Sequence, residues 1–199
     1  TLVFRSSTGD WGSWVDALEN IGPGFGKPHN ENFKDMQVFD DHLCGGTWNE
    51  IDGAEVWCTS DGKNWLQKNI SGFGEANNAI IWSGHIFDNQ LYFGVQNFGK
   101  TEGQGHGRLY RTKSLEGDPT WEEVFRTEPG IPWGNILGDI NGQLYISVPT
   151  KEGLLVFRSS SGDPGNWEIA NFPGFDHNPE NNAVLADGAA FYNENLYLG

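Results

Sequence analysis

The stretch Ala54–Trp65, AEVWCTSDGKNW, decides the fold, because the chain repeats its plan three more times. The cousins are TLVFRSSTGDWGSW (Thr1–Trp14), GRLYRTKSLEGDPTW (Gly107–Trp121) and LLVFRSSSGDPGNW (Leu154–Trp167). Each opens with a few mostly apolar residues of high strand propensity, passes a Ser or Thr, enters a Gly/Asp turn and closes on a Trp. That is the pattern of a β-hairpin.

Outward from each hairpin the same order recurs. A Gly-Phe-Gly-like segment with asparagines comes next: GFGKPHNEN (Gly24–Asn32), GFGEANN (Gly72–Asn78) and GFDHNPENN (Gly174–Asn182), with PGIPWGN (Pro129–Asn135) as a remnant in the third repeat. Glycine and asparagine there supply positive φ and side-chain caps for an irregular crossing. Two further strands follow, in MQVFDDHLCGG, GHIFDNQLYFG, LGDINGQLYIS and AAFYNENLYLG. Asp40-Asp41, Asp88-Asn89, Asn141-Gly142 and Asn193-Glu194 sit where a two-residue hairpin turn belongs. Leu43, Leu91, Leu144 and Leu196 repeat one core position, and Phe39, Phe87, Ile140 and Tyr192 another.

Four strands in up-and-down order, repeated about every 50 residues without linkers, predict the blades of a β-propeller. The repeats span 1–53, 54–107, 108–153 and 154–199 of one domain. Runs such as Leu154-Leu155-Val156-Phe157 are apolar on both faces, as a sheet packed between two neighbours requires. In this phase the chain starts in the third strand of one blade and stops in the second strand of another. Were four repeats to close a ring, those strands would complete one blade and remove an edge. Tightly packed Trp and Phe favour instead a segment of a six- to eight-bladed ring, open to self-association if one chain does not close it.

Aligned on itself, the second repeat has Cys44 where the others have Tyr92, Tyr145 and Tyr197, and Cys58 where they have Arg5, Arg111 and Arg158. Both replacements fall on consecutive strands that pair, which predicts a cross-strand disulfide; two buried thiols are the alternative. Closing a loop of about 15 residues would stabilise by roughly 3 kcal/mol, less any strain. A disulfide places the chain outside the reducing cytosol. The absence of an initiator Met and of a signal-like segment fits a processed secreted chain or a piece of a longer one.

A net charge of −15 excludes nucleic-acid binding of the usual kind and disfavours an anionic membrane surface. No apolar run approaches the roughly 18 residues of a membrane helix.

Thr59-Ser60-Asp61-Gly62-Lys63-Asn64-Trp65 resembles the Asp-box, the Ser/Thr-x-Asp-Gly-x-x-Trp signature of BNR-type β-propellers. The resemblance covers all four repeats. The first and fourth displace the Asp past the Gly (Asp10 before Trp14, Asp163 before Trp167), and the third is one residue longer. The resemblance implies a structural turn on the outer rim: Asp61 accepts amide hydrogen bonds, Gly62 relieves a strained φ, and Trp65 folds back onto the blade.

The same family contains sialidases, whose chemistry needs three arginines converging on a carboxylate, a Tyr nucleophile with a Glu partner and an Asp acid. Arg5, Arg111 and Arg158 share one repeated position and read as scaffold, which leaves Arg108 and Arg126. No Phe/Tyr-Arg-Ile-Pro stretch is present. His29, His42, His85, His106 and His177 are scattered without metal-ligand spacing, so no catalytic metal is expected. Acidic turns such as Asp40-Asp41 offer oxygen ligands for a structural Ca²⁺.

Propeller ligands meet the mouth of the central channel. Lys34, Trp82, Asn135 and Asp187 occupy equivalent, divergent positions on the innermost strands. With the non-repeated Trp48 and Trp133, they are the candidate ligand-binding residues, since exposed indoles beside Asp and Asn hold sugars. The sequence thus leads to the expectation of a secreted or cell-surface, non-enzymatic recognition module for carbohydrate or protein. A sialidase-like glycoside hydrolase and a structural subunit of an extracellular assembly are the alternatives.

Overall fold

The computed structural model describes residues 1–101, 103–182 and 188–199, and the chain is an all-β propeller of four-stranded antiparallel blades. A first hairpin joins β1 (Phe4–Arg5) to β2 (Val15–Asp16). One complete blade holds β3 (Asn32–Phe39), β4 (His42–Trp48), β5 (Val56–Thr59) and β6 (Leu66–Gln67). The next holds β7 (Asn78–Phe87), β8 (Gln90–Asn97), β9 (His106–Thr112) and β10 (Glu122–Arg126). A third holds β11 (Asn135–Ile140), β12 (Gln143–Thr150), β13 (Gly153–Ser159) and β14 (Glu168–Ile169). A last hairpin pairs β15 (Ala189–Tyr192) with β16 (Asn195–Leu198). Among the described residues the first and last hairpins form separate two-stranded sheets and do not share a blade.

The turns between first and second strands follow from their residues. Asp40 and Asp41 have φ of 51° and 58°, Asp88 and Asn89 46° and 54°, and Asn193 and Glu194 47° and 62°. Two successive positive φ values give the type I′ turn, whose twist matches the flanking strands. Asp and Asn tolerate that region through local hydrogen bonds.

The core lies between blades rather than inside any of them. Leu18, Phe25, Trp57 and Trp65 fill the layer ahead of the first complete blade. Phe39, Val56, Ile81, Leu91, Phe93 and Tyr110 fill the next layer, and Phe87, Tyr92, Leu109, Ile136 and Leu144 the one after. The blades come together where side chains are missing: a Cβ on Gly46 of β4 would lie 2.3 Å from the Ile81 side chain of β7. Cys44 and Cys58 face each other across β4 and β5, and their disulfide sits in the second of these layers.

The Gly-Phe-Gly crossings turn one blade into the next. Phe25, Phe73 and Phe175 adopt φ of 58°, 53° and 67°, a costly region for a bulky residue. Packing holds two of them there. Phe25 stacks on Trp57 with centroids 4.8 Å apart, and Phe73 stacks on Tyr110 at 4.1 Å.

The tryptophans that close the hairpins are tethers between blades. Trp65 Nε1 donates to Ala17 O (3.0 Å), Trp121 Nε1 to Lys68 O (2.7 Å) and Trp167 Nε1 to Val124 O (3.1 Å). Each acceptor lies in or just after the outermost strand of the preceding blade. Trp14, whose repeat is the first, is more than half exposed.

Candidate functional site

Innermost strands β3, β7 and β11 stand side by side and form a wall. Gln37 Nε2 donates to Gly84 O at 3.0 Å, joining β3 to β7. The Ile136 amide donates to Ser83 Oγ at 3.0 Å, joining β7 to β11. Every one of these strands carries a bulge: between Lys34 and Gln37, between Ile81 and Ser83, and between Ile136 and Gly138. A bulge adds one residue and re-aims the side chains beside it. Lys34 and Trp82 flank or occupy those bulges.

The result is a cluster of three side chains from two blades. Trp82 lies with its ring 6.0 Å from that of Trp48, centroid to centroid, at an interplanar angle of 49°. Lys34 Nζ sits over the Trp82 ring, 3.9 Å from its centroid. The Trp82 indole N–H donates to the buried Gln96 Oε1, and Trp48 Nε1 donates to Glu50 Oε1 at 2.9 Å. Both indoles are therefore oriented by a polar partner at one edge and half-buried.

The other candidate positions fall elsewhere. Asn135 is buried at the start of β11, opposite Ser147. Trp133, 40% exposed, lines a cleft of about 710 Å³ with Pro129, Ile131, Pro149 and Lys151. Asp187 lies outside the described residues.

Below the crossings, paired asparagines tie the mouth together. Asn30 Nδ2 donates to Gly24 O and Asn78 Nδ2 to Gly72 O, at 2.9 and 2.8 Å. Asn49 and Asn97, at or just past the ends of β4 and β8, donate in turn to Asn30 Oδ1 and Asn78 Oδ1. Beside them Glu55, fully buried, accepts from Lys27 Nζ, Asn30 Nδ2, Trp57 Nε1 and Ser71 Oγ. Burial pushes its carboxyl up, but those four donors together outweigh burial and hold it below its ordinary range.

Two inner-strand acids stand on this wall: Asp35, next to the candidate Lys34, and Asp139, which sequence reasoning missed as a site candidate. Asp139 Oδ1 of β11 lies 2.7 Å from His85 Nε2 of β7. Asp35 of β3 has φ of 52°, and its carbonyl approaches Gly84 closely enough that a Cβ there would lie 2.9 Å from it. The Asp35 backbone and the Asp139 carboxylate thus flank β7 from its two sides, at the consecutive residues Gly84 and His85. Their signal in sequence is only that each falls within a first strand; which strands become neighbours depends on blade order.

Four of the five arginines are engaged by acids. Arg111 contacts Glu122 and Asp163, Arg158 contacts Glu168, Arg108 contacts Glu75 and Glu123, and Arg126 contacts Glu123. Asp40 accepts from the Leu115 amide and Ser114 Oγ, and the Leu115 bond leads in depressing its titration. Among the described residues no three His, Cys, Asp or Glu side chains are grouped to hold a metal ion.

The turn residues differ in what they do. Asp61 Oδ1 accepts the Lys63 and Asn64 amides, each at 2.8 Å, and Gly62 has φ of 72°. Asp163 instead reaches Arg111 of the preceding blade at 2.7 Å, and Asp10 offers its backbone carbonyl to Ser13.

No protein-family model matches the chain, and no curated protein matches it in sequence. Solved structures similar to it in shape include GH43B of the Bacteroides ovatus xyloglucan PUL, 17% identical at a TM-score of 0.48, covering 71% of this chain and 30% of that one. The Cellvibrio cellulosa alpha-L-arabinanase complexed with arabinohexaose is 16% identical at a TM-score of 0.46, with 71% and 54% covered. A glycosyl hydrolase from Bacteroides ovatus is 9% identical at 0.44, with 72% and 49% covered. The chain thus spans between about a third and a little over half the length of these proteins. Their identities give no residue correspondence, so no catalytic residue is carried across. Two of these titles name an arabinanase and a glycosyl hydrolase, and against them the expectation of a non-enzymatic recognition module is corrected.

Proposed function

We propose that the chain supplies blades to an extracellular glycoside hydrolase whose sugar chain lies across the channel mouth, on the wall built by β3, β7 and β11. The observation that carries this reading is the convergence of Lys34, Trp48 and Trp82 from two blades, with Asp35 and Asp139 on the same wall. Indole faces hold a pyranose or furanose by contact with its C–H groups, at small entropic cost because the rings are already fixed. Trp133, beside its cleft, would extend the path of a longer chain, and Asn135 supports the start of β11.

Cleavage of a glycosidic bond needs two carboxyl groups, one to protonate the leaving oxygen and one to activate water or attack the anomeric carbon. Asp35 and Asp139 are the carboxylates on the described innermost strands, and the proposal gives them these two roles. His85 orients Asp139 through its 2.7 Å contact. A sialidase-specific reading is not favoured, because Arg108, Arg111, Arg126 and Arg158 are each held by acids. We read the Thr59–Trp65 turn as an Asp-box, and the disulfide supports a location outside the cytosol.

Incubation with a panel of plant and bacterial polysaccharides, read by new reducing ends, tests the activity. Release from at least one, lost about 100-fold or more in Asp139→Asn and Asp35→Asn but kept in Asp163→Asn, is expected. Release that both inner-strand variants retain would remove the assignment, and no release with no binding would remove the function.

A further inference from the structure

We infer that the glycan bound at this mouth carries an anionic substituent, a uronate carboxylate or a sulfate, and that Lys34 is the residue that selects it. The inference rests on the glycan-cleaving reading and names its substrate class.

The argument starts from charge. The chain has 27 acidic against 12 basic residues, and four of its buried or half-buried cations are taken. Lys27 is bound to Glu55 and Gln67, Lys68 to the carbonyls of Leu115 and Gly117, and Arg108 and Arg111 to acids. Among the described residues Lys34 has no ion pair; its ammonium rests on the Trp82 ring face instead. A cation over an indole gains from the ring quadrupole while its outward hydrogens stay free to donate.

The position adds a second reason. Lys34 lies on β3 at the bulge, between the backbone of one blade and the indole of the next, so its long stem is confined at one place. A lysine fixed over an aromatic platform presents one positive charge at the edge of that platform. A sugar stacked on Trp48 and Trp82 would meet it with an equatorial substituent, and a carboxylate or sulfate there forms a charge-assisted hydrogen bond. The net charge of −15 repels anions at long range, so selection has to act in contact. Solvent ions screen that repulsion beyond about 8 Å at physiological ionic strength, which leaves the contact term in control.

The test compares matched oligosaccharides by calorimetry: a neutral xylo-oligosaccharide, the same backbone bearing one glucuronate, and a sulfated oligosaccharide of equal length. The wild-type chain is expected to bind an anionic form about ten-fold more tightly than the neutral one. Lys34→Met should erase that ratio while leaving the melting transition unchanged, and Lys34→Arg should keep it. Preference for glucuronate alone, or for sulfate alone, identifies which anion is read. Equal binding of neutral and anionic forms would overturn the inference and leave the glycan site standing. Binding of none, with Trp82→Ala indistinguishable from wild type, would overturn the underlying reading as well.

Discussion

Three residues in one row record how a repeat can be rewired. Tyr92, Arg111 and Glu122 lie side by side across β8, β9 and β10, with Arg111 bonded to Tyr92 OH at 3.3 Å and to Glu122. Tyr145, Arg158 and Glu168 repeat the row in the next blade. In the first complete blade the same row reads Cys44, Cys58 and Leu66. A covalent bond has replaced a phenol–guanidinium–carboxylate chain. The cysteine pair is legible in sequence because both substitutions fall in one repeat; the change of the third member to Leu66 is not, since it depends on strand register. Replacing both cysteines by serine should lower stability by roughly 3 kcal/mol in urea unfolding, with unreduced wild type giving no alkylation. Acid should act through other residues. Glu55 and Asp61 titrate below their ordinary values of 4.5 and 3.8, Asp61 because the Asn64 and Lys63 amides bond its carboxylate. A depressed folded-state value means stability that is present above the ordinary value and lost as pH falls below it. Unfolding free energy should therefore fall below about pH 4.5, and Glu55→Gln should flatten that fall while costing about 1–2 kcal/mol at neutral pH, since Lys27 is partly exposed and keeps Gln67.

At the scale of elements, the hairpins are the part of the fold that sequence shows most directly. Two-residue turns of Asp and Asn leave one compatible geometry, and the observed φ pairs follow it. The crossings were visible as Gly-Phe-Gly segments, but not the stacking of Phe25 on Trp57 or Phe73 on Tyr110, which joins residues 32 and 37 positions apart. Nor does sequence show that each hairpin-closing Trp reaches the preceding blade. That geometry carries its own prediction. Trp121→Phe keeps an aromatic ring but removes the pyrrole half of the indole and its donor to Lys68 O, and should cost about 2 kcal/mol in thermal or urea unfolding. Trp14→Phe, at a position more than half exposed, should cost a few tenths at most.

For the whole molecule, the blades serve to bring first strands together. Repetition in the sequence predicts that wall, and it also marks Lys34 and Trp82 as positions where the repeats diverge. Their meeting with Trp48 was not predictable from either blade alone, since it depends on the bulges and on the single backbone pair between Trp48 and Ile80 that joins β4 to β7. His85 and Asp139 were invisible for the same reason: they lie 54 positions apart on neighbouring blades. The account rests on sugar occupying this wall, and hydroxyl-radical footprinting resolved to single tryptophans by mass spectrometry measures that directly. With a cleavage-deficient Asp139→Asn chain and a bound oligosaccharide, Trp48 and Trp82 should be protected from oxidation while the fully exposed Trp11 stays reactive. Unchanged oxidation of Trp48 and Trp82 at saturating oligosaccharide would contradict it.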